Sequence, residues 1–115
     1  MEDTPQLTIY GIANCDKVRA VRTWCQRNGY HCQMHDYRRQ GLDASLIKEF
    51  LRHFSLDELV NKRSATWRQL DKNTRNHLTP DTLIQYPTLI KRPIVHANGH
   101  WWLGVTPQHL AEALA

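Results

Sequence analysis

The sequence predicts an α/β fold: a mixed four-stranded sheet with an inserted helical lobe at about 43–86, in a single domain spanning residues 1–115. Three observations carry this. A β-prone run, Leu7 to Ile12, leads into apolar residues at helical spacing, and a second β-prone run, Tyr30 to Tyr37, follows; a β-α-β unit of this kind makes its strands parallel. Asn98-Gly99 separates two further β-prone runs and is the sequence of a tight hairpin turn, so those strands are antiparallel. Everything between the two halves reads as helix. This is the element order of a thioredoxin-like sheet of the glutaredoxin type with an insertion.

The elements follow in turn. Helix one is expected from Cys15 or Asp16 to about Asn28, with Val18, Val21, Trp24 and Cys25 on its apolar face and Gly29 as its stop. After the Arg38-Arg39-Gln40-Gly41 loop, Asp43 caps a helix through about Phe54 with Leu46, Ile47, Phe50 and Leu51 as its stripe. Ser55-Leu56-Asp57-Glu58 is a capping box that opens a short helix to about Val60. Thr66 is expected to cap a turn through Trp67 to Leu70, whereas Asp71 to Leu78 carries no clear pattern. Thr79-Pro80 starts a helix that ends near Tyr86. Pro93 to Ala97 and His100 to Val105 form the hairpin, and Thr106-Pro107 caps a last helix to about Leu114.

Composition narrows the function classes. No apolar stretch approaches the ~20 residues of a membrane helix, and the acidic, polar start Met1-Glu2-Asp3-Thr4-Pro5 has no leader character; the cytoplasm is the expected compartment. Three cysteines, an odd number without paired spacing, fit free thiols in a reducing compartment. The net charge of +4 favours anionic partners. Residues 15–39 hold six Lys/Arg against two acids and 61–92 hold seven against two, while 40–60 hold two against four. Two basic segments flank an acidic one. No helix-turn-helix, stacking platform or zinc motif supports nucleic-acid binding, and the seven histidines show no ligand spacing, so no metal site is expected.

Cys15 is the candidate for chemistry. It stands at a strand-to-helix junction among Asn14, Asp16 and Lys17, where the free amides of a helix's first turn favour a thiolate. Lowering a thiol from ~8.5 by two units takes about 2.7 kcal/mol, and a helix terminus supplies about 0.3 to 1. Further positive charge is therefore needed, with Lys17 and Arg19 as the local candidates and Asp16 opposing them. Cys25 and Cys32 fall on an apolar helix face and within a strand, as packing residues. Val18 occupies the third position after Cys15, so there is no Cys-X-X-Cys and a disulfide cycle would use a thiol from another molecule. Of Trp101 and Trp102, one is expected in the core and the other partly exposed, and Trp67 either lines a substrate groove or anchors the helical lobe.

Tyr10-Gly11-Ile12-Ala13-Asn14-Cys15-Asp16, His35-Asp36-Tyr37-Arg38, Thr66-Trp67-Arg68-Gln69-Leu70-Asp71 and Ile90-Lys91-Arg92-Pro93-Ile94 together resemble the ArsC family of glutaredoxin-coupled arsenate reductases, Spx regulators and the YffB-like branch, and are most similar to that branch. The resemblance implies Cys15 as a single catalytic cysteine, Arg63 and Arg92 as two of three anion-binding arginines, and a cis bond between Arg92 and Pro93. The third arginine of the pattern follows the glycine of the last strand, where this chain has Val105. Where the arsenate reductases carry a histidine and an asparagine, this chain has Gly11 and Ile12. One lost charge-assisted bond, worth about 1.5 to 3 kcal/mol, lowers oxyanion affinity tenfold or more.

The resemblance thus implies a glutathione-dependent thiol-disulfide oxidoreductase with impaired arsenate reduction. Glutathione is its co-substrate and no cofactor is held tightly; glutaredoxin is a possible second reductant, a mixed disulfide or small oxyanion is the substrate, and the protein is a monomer. The carboxylates of glutathione would match Arg63 and Arg92 with Lys91 or Arg19, and Pro93 would shape the pocket. The competing reading is an Spx-like regulator that binds RNA polymerase, against which the missing Cys-X-X-Cys weighs.

Overall fold

The computed structural model describes residues 6–114, so the acidic Met1–Pro5 start lies outside the described residues. The chain divides into two compact units: residues up to Gln40 together with those from Arg92 onward form one, and Gly41–Lys91 form the other.

In the first unit, β1 (Gln6–Gly11), β2 (His31–Asp36), β3 (Ile94–Ala97) and β4 (His100–Leu103) form one sheet in the order β2-β1-β3-β4. β1 and β2 are parallel with Tyr10 opposite His35, while β3 is antiparallel to both β1 and β4. The hairpin works as its sequence says: Asn98 and Gly99 take positive φ, 54° and 78°, the backbone of a primed two-residue turn. Helix α1 (Asp16–Arg27) has Gly29 at φ 77° just beyond it. A last helix, Pro107–Ala113, is capped by Thr106, whose hydroxyl accepts from His109 N.

Strand alternation and helical spacing meet in one core. Leu7 and Ile9 from β1, Val18, Val21 and Cys25 from α1, Val95 and Ala97 from β3, Val105 and Leu110 are buried together. Each large aliphatic side chain contributes about 1.5 to 3 kcal/mol by leaving water. The alternate residues of the strands make an aromatic row instead: Trp101 stacks on His96 and on Tyr10, with centroids 4.3 and 5.7 Å apart, and Tyr10 meets His35 at 5.4 Å. Trp102 packs against the core cluster. Neither tryptophan is fully buried, a correction to the expectation of one core ring, because β4 lies at the sheet's edge.

The second unit is helical: α2 (Ala44–Leu51), α3 (Leu56–Leu59), α4 (Ala65–Gln69), α5 (Lys72–Asn76), α6 (Pro80–Gln85) and a 3-10 turn at Pro87–Leu89. α2 packs on α6, and Ile47, Phe50, Leu59, Leu83 and Leu89 are fully buried. The capping box is present, Glu58 N donating to Ser55 Oγ at 3.0 Å and Ser55 N to Glu58 Oε1 at 2.9 Å. A bridge between Val60 and Ile90, flanked by Asn61 N to Leu89 O at 2.7 Å and Lys91 N to Leu59 O at 2.8 Å, ties the segment after α3 to the unit's last residues.

Four expectations need correction. α2 stops at Leu51 rather than Phe54, since the amides of Arg52 and His53 turn to the tighter carbonyls of Glu49 and Phe50. α4 is capped by Ser64 and not Thr66: the Ser64 hydroxyl accepts from Trp67 N at 3.0 Å and so starts the helix earlier. Asp71 to Leu78 contains α5, capped by Asp71 through Thr74 N at 2.7 Å, a cap whose helix lacks an apolar stripe to announce it. The last strand also ends two residues early, at Leu103, because Gly104 turns to φ 64°.

Candidate functional site

Cys15 is the N-cap residue of α1, with extended backbone at φ −131° and ψ 129°. Its carbonyl accepts from Arg19 N at 2.9 Å, which starts the helix, but its thiol makes no capping bond. The first-turn amides are therefore not claimed by the side chain best placed to claim them, and they add to the positive end of a 12-residue helix. The thiol is half-buried, resting against the core cluster.

The sequence-derived residues divide between the units. Cys15, Lys17, Arg19, Arg92 and Pro93 belong to the sheet unit, and Arg63 and Lys91 to the helical one. Arg19 bonds to Asp16 and reaches Asn14 Oδ1 at 3.5 Å, so Asp16 neutralises one of the two charges closest in sequence to the thiol. Lys17 is exposed and without an ion pair among the described residues. The Arg92–Pro93 bond is cis, and Pro93 is buried.

Arg92 lies against the end of β1. Its Cβ and Cγ come within 3.8 and 3.7 Å of where a Gly11 side chain would begin, and Val18 Cγ2 within 3.0 Å. Tyr37 closes the same corner, its N–H donating to Gly11 O at 2.8 Å. Burial pushes the Tyr37 phenol well above its ordinary value, and the positive charge of Arg92 opposes that rise. Tyr37 is thus a neutral group beside Arg92, and sequence reasoning missed it. The available signal was its place directly after a strand parallel to β1, one residue beyond Asp36, the register partner of Gly11.

Arg63 sits in the loop before α4, its N–H donating to Asn61 Oδ1 at 3.0 Å and its carbonyl accepting from Arg68 Nη1 at 3.2 Å. Trp67 lies under two cations, Arg75 at 5.4 Å and Lys62 at 5.9 Å, which fits the anchoring role for this ring. Val105 is a core residue, 5 % exposed. Cys25 is buried, and burial first, then its neighbour Cys32, pushes its thiol up to about 12. Among the described residues no group of three His, Cys, Asp or Glu side chains is placed to hold a metal ion, and no helix is long and apolar enough to cross a membrane.

Comparison with known proteins gives this architecture a family. The sequence pattern described as "ArsC family" matches residues 10–113. An uncharacterized protein of Haemophilus influenzae is 40% identical over 113 residues, 95% of this chain and 99% of that one. The regulatory protein MgsR of Bacillus subtilis is 25% identical over 112 residues, 93% of this chain and 89% of that one. Among solved structures, a protein named YFFB (PA3664) superposes with a TM-score of 0.84 at 27% identity, covering 95% of this chain and 99% of that one. An arsenate reductase (ArsC) related protein from Brucella melitensis follows with 0.77 at 30% identity, covering 98% and 97%.

Proposed function

From a chain that belongs to the ArsC family we infer a thiol-disulfide oxidoreductase that uses Cys15 as its single nucleophile and glutathione as co-substrate. The observation that carries this reading is Cys15 itself, the N-cap residue of α1 with a thiol that makes no capping bond; it is half-exposed, as is Cys32 within β2, whereas Cys25 is buried. In the proposed cycle the Cys15 thiolate attacks the glutathione sulfur of a mixed disulfide. The S–S bond breaks, the other sulfur leaves as a thiolate, and a Cys15–glutathione disulfide forms. A second glutathione thiolate, or the thiol of a glutaredoxin, then attacks that bond, releasing Cys15 and carrying away the oxidised pair.

In this scheme Arg92 binds the anionic substrate, with Lys17 and Arg19 as further positive charges and Pro93 as a wall of the pocket, and Arg63 and Lys91 keep the anion-binding role that the resemblance implies. The chain works as a cytoplasmic monomer with no tightly held cofactor. Arsenate reduction is weak, because Val105 stands in the core where the family pattern has its third arginine. The test is turnover of a glutathione mixed disulfide by wild type and Cys15→Ser. The variant should be inactive with an unchanged circular dichroism spectrum and melting temperature, and retained turnover would sink the assignment.

The likeness to MgsR favours one competing reading, an Spx-like regulator that binds RNA polymerase without turning over substrate. A purified-polymerase pull-down that retains the chain, together with no turnover by wild type, would replace the enzymatic reading.

A further inference from the structure

Cys25 and Cys32, the two thiols that the proposed cycle leaves unused, meet where α1 packs on β2. Leu7 is the register partner of Cys32, and Ile9 that of Met34; register partners in a sheet share a face. Leu7 and Ile9 are buried with Val21 and Cys25 in one cluster, against which Cys32 and Met34 also rest. Cys32 therefore projects from β2 toward α1, and its thiol lies within hydrogen-bonding reach of Cys25.

The turn between the two residues fixes that approach. Tyr30 N donates to Cys25 O at 3.1 Å, and the Cys25 thiol points back to Tyr30 O, 4.0 Å away. Gly29, at φ 77°, reverses the chain inside this turn. The main chain is thus already drawn together around the pair, which is the part of disulfide geometry that a side-chain rotation cannot supply.

Exposure gives the thiols different parts. Cys25 is fully buried, whereas Cys32 is half-exposed on β2, an edge strand of the sheet. A small oxidant arriving from solvent meets Cys32 first. Cys15 does not compete for Cys25, because it stands ten residues ahead of it, about 15 Å along a helix that rises about 1.5 Å per residue.

We propose that Cys25 and Cys32 form an oxidation site that a hydroperoxide closes to an intramolecular disulfide. The Cys32 sulfur attacks the O–O bond of the peroxide, which breaks; one oxygen stays on sulfur as a sulfenic acid and the other leaves as water or an alcohol. The Cys25 sulfur then attacks the Cys32 sulfur. The S–O bond breaks, the hydroxide departs as water with the Cys25 proton, and the S–S bond forms. Two thiols have given up two electrons, and the peroxide has taken them. Closing the bond holds Cys32 back from the irreversible sulfinic and sulfonic acids, and a dithiol reopens it.

The test uses the Cys15→Ser protein, which retains only this pair, so its outcome is independent of the chemistry assigned to Cys15. The folded protein is treated with hydrogen peroxide, quenched with catalase, denatured and alkylated with iodoacetamide. Its mass should fall by about 2 Da, the two hydrogens lost on pairing, with neither thiol alkylated. Trypsin should yield residues 23–27 joined to residues 28–38, and dithiothreitol should separate them. Oxygen retained on Cys32 beside an alkylated Cys25, a dimer linked through Cys32, or a peroxide-resistant pair would each overturn the proposal. A second variant, Cys15→Ser/Cys25→Ala, leaves Cys32 without a partner. At the same peroxide concentration it should gain about 32 Da as the sulfinic acid, and a Cys32 that stays unoxidised there would show that pairing is not what protects it.

Discussion

Gly11 and Val18 approach so closely that a Cβ on Gly11 would stand 3.0 Å from Val18 Cγ2. Val18 is fully buried and β-branched, so its methyl has little room to turn aside. The contact presses the end of β1 onto the first turn of α1, and Cys15 sits in the loop between them.

Gly11→Ala is therefore expected to cost about 1 to 3 kcal/mol of stability by overpacking, read as a lower urea midpoint, with turnover at Cys15 reduced as the loop shifts. Adding Val18→Ala should recover part of what Gly11→Ala loses, since the two changes share one contact. Additive losses would show that the contact is not what limits the position.

Restoring the family's third arginine should fail. Val105 packs with Leu7, Ile9, Val95 and Leu110, so Val105→Arg places a charge in an apolar core and should destabilise by about 3 to 5 kcal/mol. Chemical denaturation checks this. A variant of wild-type stability with improved arsenate turnover would mean that the arginine reaches solvent.

The thiols should separate by reactivity. With Cys25 pushed up to about 12, about one in ten thousand of its thiols is ionised at pH 8. Iodoacetamide at that pH should modify Cys15 in the native protein and Cys25 only after unfolding, as mass spectrometry of the peptides would show. Native labelling of Cys25 before Cys15 would contradict the packing.

The same group shapes the alkaline side of stability. Its folded value lies above the ordinary 9.0, so the folded state holds its proton longer. That contribution is full below pH 9 and is lost as pH rises toward 12. Tyr37, also raised by burial, adds a like loss above its ordinary 10.0. Cys25→Ala and Tyr37→Phe should each flatten the decline of the urea midpoint between pH 9 and 11.

On the acid side the helical unit responds in the opposite sense. Bonds from Thr74 hold the Asp71 carboxyl below its ordinary 3.8, and bonds from Ser55 hold Glu58 below 4.5. Their contributions are present above those ordinary values and fade as pH falls through the lowered ones. Asp71→Ala should lower stability at pH 7 and make less difference at pH 3, in paired denaturation curves. A penalty that did not shrink would mean the carboxylate charge is not what caps α5.

The parts of the fold that the sequence carried openly were those with local causes. The Asn98-Gly99 turn, the Ser55–Glu58 capping box and the Thr106-Pro107 cap each satisfy backbone groups within a few residues. The α1 stripe of Val18, Val21 and Cys25 needs only helical periodicity to be read. At the start of α4 the sequence reading chose Thr66 as the cap, and Ser64 holds that place. The choice followed from which hydroxyl could meet a free amide. α5 escaped for lack of any apolar stripe.

By itself the sequence determined the mixed sheet, the helical insertion and the place of Cys15 at the head of α1, because turn chemistry, capping and residue spacing are local properties. Only the tertiary structure decided what surrounds those positions. It set Tyr37 beside Arg92 and Gly11, put Val105 in the core, and brought Arg22 of α1 and Arg39 around one cleft. Those are relations between side chains far apart in the chain, fixed by strand register and by how a helix packs on a sheet, and no local pattern encodes them.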